Sequence, residues 1–216
     1  MNVKLISVTK PEVDGVETAE DIITYCARVS NPKNQMNTET APRLLNFLIK
    51  HKHWSPFELA SMCVEIKTSR AIAAQILRHR SFSFQEFSQR YSEATELEPI
   101  ELRSPAETNR QSSSEPLPED HEAYSLAKAS MHMALSAYKN LIKMGVAKET
   151  ARGVLPLNTE TTIYMNGTIR SWIHYINLRA EENTQKEHRD IAEAVKEIII
   201  DKFPNISEAL KWKEKN

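Results

Sequence analysis

Two hydrophobic periods divide this chain. Residues 3–8 alternate with period two and predict a strand, closed by the turn residues Pro11, Asp14 and Gly15. Thr18 then stands as an N-cap ahead of acidic residues, which predicts a helix to about Val29. Ser30-Asn31-Pro32 ends it. A second helix is expected over 39–50, with Leu44, Leu45 and Leu48 inward. Residues 62–68 return to period two, with Met62, Val64 and Ile66 on one face and Cys63, Glu65 and Lys67 on the other. Ser69 caps an alanine-rich helix running to about Arg78. Segment 81–91 reads as a loop or short strand. Segment 92–119 is rich in proline, serine and charge without periodicity and reads as one long loop.

The second half is mostly helical in period. A long helix is expected over 119–143, with Tyr124, Ala127, Met131, Leu135, Tyr138 and Leu141 as its apolar stripe and Gly145 as its stop. A short helix over 148–154 breaks at Leu155-Pro156-Leu157, and 161–165 is β-branched and aromatic enough for a strand. The helix expected over 168–180 carries polar residues on two sides. Arg170, His174, Asn177 and Glu181 share one face, Arg179 lies opposite Arg170, and Trp172, Ile173 and Ile176 fall between. Helix 187–202 turns Ile191, Val195 and Ile198 inward, and a weak peripheral helix is expected over 207–215.

Composition adds limits. At 216 residues, with 40% hydrophobic and 26% charged residues, the chain suits a single soluble domain over 1–216. Its formal charge of −1 argues against bulk electrostatic binding to long nucleic acids, although a local patch remains compatible with it. No run of about 18 apolar residues predicts a membrane span, and the N-terminal segment lacks a signal-peptide core, so a cytoplasmic protein is expected. The two cysteines, Cys26 and Cys63, sit in apolar periodic segments and read as buried thiols rather than a disulfide. No GxGxxG, P-loop or CxxC pattern is present. A nucleotide cofactor would therefore have to be held another way. His51 and His53 lack a third ligand nearby, so no metal is expected.

The chemistry concentrates in residues 75–91, QILRHRSFSFQEFSQRY. Arg78, His79, Arg80 and Arg90 offer donors that match phosphate or carboxylate oxygens, Ser81, Ser83 and Ser88 add hydroxyls, and Phe82, Phe84, Phe87 and Tyr91 add flat faces. Such a mixture suits a ligand with both a ring and a phosphate. The residues alone leave other readings open. The triplet at 78–80 is compatible with solvated charge at a helix C-terminus, with an RNA-binding or RNA-modifying surface, or with interface ion pairs of a helical assembly.

Five blocks in order then carry a resemblance. Arg78-His79-Arg80 followed after seven residues by Ser88 is similar to the RHRx7S signature of flavin-dependent thymidylate synthases. Segment 27–30 resembles that family's ARxS block, 53–58 its HxSPFE block, 151–156 its ARxxLP block and 169–179 its final RS…LR helix. The resemblance implies an α/β (α+β) single domain with a central mixed sheet flanked by long helices, assembled as a homotetramer with sites at subunit interfaces. It implies methylation of dUMP to dTMP without a cysteine nucleophile, using FAD, NAD(P)H and methylenetetrahydrofolate, with no nucleic-acid or membrane partner. By the same resemblance, Ser30, Ser55, Arg78, His79, Arg80, Glu86, Thr168, Arg170 and His174 would hold FAD. Gln75, Glu86, Ser88, Gln89, Arg90, Arg152 and Arg179 would hold dUMP. Arg179, Ser88 and His53 are the expected catalytic set, with Arg179 polarising the uracil ring and His53 near the flavin. The chain departs from many members at Leu59, where they carry His, and from several at Thr168 and His174, where they carry Asn.

Overall fold

Two long strands, each running straight into a helix, organise the molecule. The computed structural model describes residues 1–212. Strand β1 (Asn2–Val8) pairs with β2 (Ser61–Ser69), which follows helices α1 (Ala19–Ala27) and α2 (Ala41–Lys50). β2 passes directly into α3 (Arg70–Ile76), and the short β3 (Ser83–Glu86) follows. A hairpin, β4 (Arg103–Pro105) and β5 (Ser113–Pro116), precedes the long α4 (Glu122–Lys143) and the short α5 (Lys148–Ala151). β6 (Glu160–Thr168) then passes directly into α6 (Ile169–Arg179), and α7 (Lys186–Lys202) and α8 (Pro204–Ala209) complete the described chain. The main sheet has the order β1-β2-β6-β3. Its pairings are antiparallel throughout, so the expected α/β class holds but the sheet is not mixed. The alternating burial of β2 and β6 agrees with antiparallel strands covered on one face, since parallel strands covered on both faces read as continuous apolar runs.

The strand-to-helix passages have a local cause. Ser69 accepts from the amide of Ile72, and Thr168 accepts from the amide of Ser171, so each strand ends on a residue that caps the next helix. β2 and β6 pair from Ser61↔Thr168 to Ser69↔Glu160, so α3 and α6 leave from opposite ends of the pair. Met62, Val64 and Ile66 of β2 and Ile163 and Met165 of β6 are fully buried on one face, as the alternation required. Trp172, Tyr175, Ile176, Ile191, Val195 and Ile199 cover them from α6 and α7. The Trp172 indole Nε1 donates to the Met62 carbonyl at 3.0 Å and ties α6 to β2. Phe82 packs edge-on against Trp172 with centroids 4.6 Å apart. Its ring occupies the space over Gly167, where an added Cβ would come within 2.4 Å of it. That slot anchors the segment just after the basic triplet.

Several expectations change. The helix at the C-terminus begins at Pro204, not 207, and it is not peripheral: Phe203 and Ile206 are fully buried, and the buried Glu20 accepts from the Ile206 amide at 2.8 Å. The expected extension through 213–215 lies outside the described residues. On α7 the inward residue of the last turn is Ile199, with Ile198 only half-buried. Cys26 and Cys63 are unpaired thiols, half-buried rather than buried. Segment 92–119 is not a plain loop, since it holds the β4–β5 hairpin and a bridge from Leu97 to Thr159. α4 buries only Tyr138; Met131, Leu135 and Leu141 are half-buried.

Candidate active site

The ends of α3 and α6 converge, and the titratable residues gather there. Arg179, the last residue of α6, donates from Nε to Nε2 of His79 at 3.0 Å. His79 must therefore be neutral on that nitrogen. Burial lowers its pKa to about 4, and the charges of Arg179 and His174 push the same way. Its ring packs edge-on against the fully buried Tyr175, 4.9 Å between centroids. Beneath it lies His188 of α7, whose pKa burial lowers to about 3, helped by Arg179 and His79. His188 contacts Gln75 at 3.2 Å and the Tyr175 hydroxyl at 3.1 Å. Above this seam opens a cleft of about 520 Å³ lined by Gln75, Arg78 and Arg179, by Asn109 and Gln111 of the hairpin, and by Glu181 and residues 183–185.

A second cleft, of about 370 Å³, flanks the other side of α6. Trp54, Glu58, Ser81, Arg170, Ser171, His174 and Asn177 line it. Arg170 donates from Nη1 to Glu58 at 2.5 Å, so the HxSPFE segment and α6 are tied across this opening. Ser55 lies exposed at the start of the 3-10 turn Ser55–Glu58. His53 is exposed and 5.9 Å from the Phe47 ring. The two-sided helix is therefore real: Arg170 and His174 face one cleft and Arg179 the other. Thr168 is committed to capping, accepting from the Ser171 amide.

A third group gathers around the turn after β3. Glu86 accepts from Arg70 and, at 3.0 Å, from the Thr161 hydroxyl. Arg90 faces Glu149 at 3.6 Å, and Arg152 Nε donates to the Glu149 carbonyl at 3.3 Å. Gln89 is 6% exposed, and its amide nitrogen is buried without a partner among the described residues. Arg80 and Ser88 are exposed. Ser30 is exposed in the turn after α1, and Arg28 of the same block is buried, donating to the Asn37 carbonyl and, at 2.8 Å, to the Thr40 hydroxyl. The structure thus brings together Gln75, Arg78, His79 and Arg179, separately Arg170 and His174, and separately Arg90 and Arg152. Among the described residues, the first two groups line separate clefts.

The family described as "Thymidylate synthase complementing protein" matches residues 12–205. A relative named "Probable flavin-dependent thymidylate synthase" from Paramecium bursaria Chlorella virus 1 is 55% identical over 98% of this chain and 100% of its own length. The "Flavin-dependent thymidylate synthase" of Synechocystis sp. is 49% identical over the same shares. The chain belongs to the flavin-dependent thymidylate synthases. A crystal structure of the UMP/dUMP methylase PolB from Streptomyces cacaoi, bound with 5-Br dUMP, has the same fold, with a TM-score of 0.84 at 23% identity over 98% of this chain and 94% of the other. Neither relative nor fold favours the RNA reading of segment 78–90.

Within this flavin-dependent thymidylate synthase, sequence reasoning missed five residues that shape the clefts. Arg70 holds Glu86, Glu58 holds Arg170, His188 and Gln185 hold Gln75, and Tyr175 holds His188. Glu58 had a readable signal, since it is the last residue of the HxSPFE block. His188 had one too, because it falls three residues before Ile191 on the apolar face of α7. The partners lie as much as 113 residues apart, which no local pattern connects.

Proposed function

We propose that this chain converts dUMP to dTMP by reductive methylation, with methylenetetrahydrofolate as the carbon donor and NAD(P)H as the reductant. The supporting observation is the seam where His79 holds Arg179 at a cleft shared with Arg78 and Gln75, while Arg170 and His174 face another across α6. The donor set fits FAD. Two guanidinium groups and an imidazole suit a pyrophosphate, and Trp54 gives the second cleft a flat apolar wall. Arg78, His79 and Arg80, with Ser30, Ser55 and Glu86, would hold it from one side, and Arg170, His174 and the Thr168 turn from the other. FAD, when bound, supplies hydride chemistry that no side chain carries.

The protein's own residues do the rest. His79 fixes the Arg179 guanidinium by accepting at Nε, which directs the outer nitrogens toward a ligand. A fixed cation there stabilises negative charge on the uracil carbonyl edge and raises the carbon's nucleophilicity. Gln75 and Gln89 would orient the nucleotide, while Ser88, Arg90 and Arg152 would clamp its phosphate. His53 would stand on the folate and nicotinamide side. Burial raises the pKa of both Cys26 and Cys63, the opposite of what a nucleophilic thiol needs.

The reading includes a homotetramer with sites between subunits. Leu126, Met133 and Met144 are 72%, 73% and 79% exposed along and beyond α4, and these apolar side chains support a partner on that side. The test is direct. Purified protein is loaded with FAD, passed through gel filtration and titrated with dUMP, then given the folate and NADPH. Flavin bands that stay with a particle of four chains, shift with dUMP and accompany dTMP formation are expected. Loss of all flavin on the column, even after loading, would overturn the reading.

A further inference from the structure

We infer that Tyr175 and His188 are a positioning relay that fixes the Gln75 amide with its carbonyl inward and its NH2 group toward the nucleotide cleft. The inference rests on the dUMP reading above. Under it, Gln75 meets the nucleotide as a hydrogen-bond donor, to a carbonyl or hydroxyl oxygen.

The direction of the relay follows from what each group can donate. Tyr175 and His188 are both fully buried. The phenol keeps its proton, because burial raises its pKa. Its buried hydroxyl has no other hydrogen-bond partner among the described residues, so its proton is satisfied only on His188 Nε2, 3.1 Å away, and that nitrogen accepts. A neutral imidazole has one N–H, which then sits on Nδ1 and points at Gln75, 3.2 Å away. Only an acceptor fits there, so Gln75 presents Oε1 to it. Flipping the amide would set NH2 against N–H.

The other end fixes the same direction independently. Glu187 accepts from Arg103 at 2.6 Å and from Gln185 Nε2 at 2.9 Å. An ionised carboxylate only accepts, so Gln185 must turn its NH2 to Glu187 and its carbonyl to Gln75. Gln75 Nε2 donates to that carbonyl at 2.7 Å. One hydrogen of the Gln75 NH2 group is then used and the second faces the cleft. The chain of donors runs Tyr175, His188, Gln75, Gln185, Glu187 without a conflict. The groups facing His188 agree with its neutral form: Arg179 is cationic, and the His79 ring lies 6.1 Å away.

The test uses FAD-loaded protein and reads dUMP affinity from the flavin-band shift. Tyr175→Phe removes the first donor and frees His188 to adopt either tautomer. It is expected to weaken dUMP binding roughly three- to tenfold, the size of one neutral hydrogen bond. In a Gln75→Ala background the same substitution should change affinity less than about twofold, since the relay then has nothing to position. Equal losses in both backgrounds would overturn the relay and leave Tyr175 a packing residue. If the unsubstituted protein binds no dUMP, the nucleotide reading fails, and the relay is decided by nitrogen NMR of histidine-labelled protein. A buried neutral histidine protonated on Nδ1 is expected for His188, and protonation on Nε2 would overturn the relay.

Discussion

The seam between α3, α6 and α7 and the region around α4 differ in how far one chain completes them. At the seam, Trp172, Tyr175 and His188 are fully buried, and their bonds join α6 to β2 and to α7. Around α4, a 22-residue helix buries one side chain, Tyr91 is 85% exposed, and Arg90 and Arg152 meet little beyond Glu149. The exposed Arg90–Glu149 pair contributes little to stability. Under the proposed function, the contrast would suit a site completed by a second copy of the chain. The groups proposed to orient the ring, Arg179 and Gln75, are held by side chains packed in the protomer's own core. The groups proposed to meet a phosphate, Arg90 and Arg152, stand on the less buried side.

Substitutions that break the seam should therefore have the largest effect. Trp172→Ala removes the ring under Phe82 and the indole bond to Met62. It is expected to lower unfolding free energy by about 3–5 kcal/mol, the range for a buried aromatic cut to alanine. Because Phe82 anchors the segment after Arg80, flavin retention should fall with it. Denaturant unfolding and gel filtration of the FAD-loaded variant check both. A cost under about 1 kcal/mol would mean that the seam is not the rigid half.

The same contrast separates what the sequence revealed from what it hid. Seam elements carried strong local signals. Alternation at Met62, Val64 and Ile66 named the buried face of β2, and Ser69 and Thr168 marked both helix starts. The motif residues at the ends of α3 and α6 were found, and the fold brings Arg179 to His79. The links from Gln75 to His188 and from Glu86 to Arg70 went unread, because hydrogen bonding between elements leaves no period in the chain. α4 misled in the other direction. Its stripe at Met131 and Leu135 promised a core helix, yet these positions are only half-buried. Periodicity reports that a face will be covered, not whether by the same chain.

Effects on the α4 side should reach binding and spare the fold. Arg90→Ala is expected to weaken dUMP about 10- to 100-fold, the value of a charge-assisted bond to phosphate, with an unchanged unfolding midpoint. Titration of the FAD-loaded variant and a denaturant curve read the two quantities separately. Normal dUMP affinity would remove Arg90 from the phosphate site.

Acid should distinguish the halves as well. His79 and His188 have pKa values lowered from 6.5 to about 4 and about 3. Between those values and 6.5 the unfolded chain binds protons that the folded chain does not, so stability falls as pH drops through that window and levels off below it. A denaturant midpoint lower at about pH 5 than at about pH 7.5 is expected, and a flat profile contradicts the burial of the two rings.

The smallest effect belongs to residues in neither half. Cys26 ends its run in the last turn of α1, and Cys63 lies on the outer face of β2, opposite Asn166. Both thiols are half-buried, and burial moves both away from the thiolate. If the chemistry lies where Arg179 and the flavin donors converge, neither sulfur has a part in it. The Cys26→Ala, Cys63→Ala double variant should lose roughly 1 kcal/mol or less of stability, a packing effect, and keep turnover within about twofold. Measuring dTMP formation beside an unfolding curve distinguishes the cases. A folded double variant with no turnover would mean that carbon transfer runs through a thiol, and that the seam positions a reaction it does not itself drive.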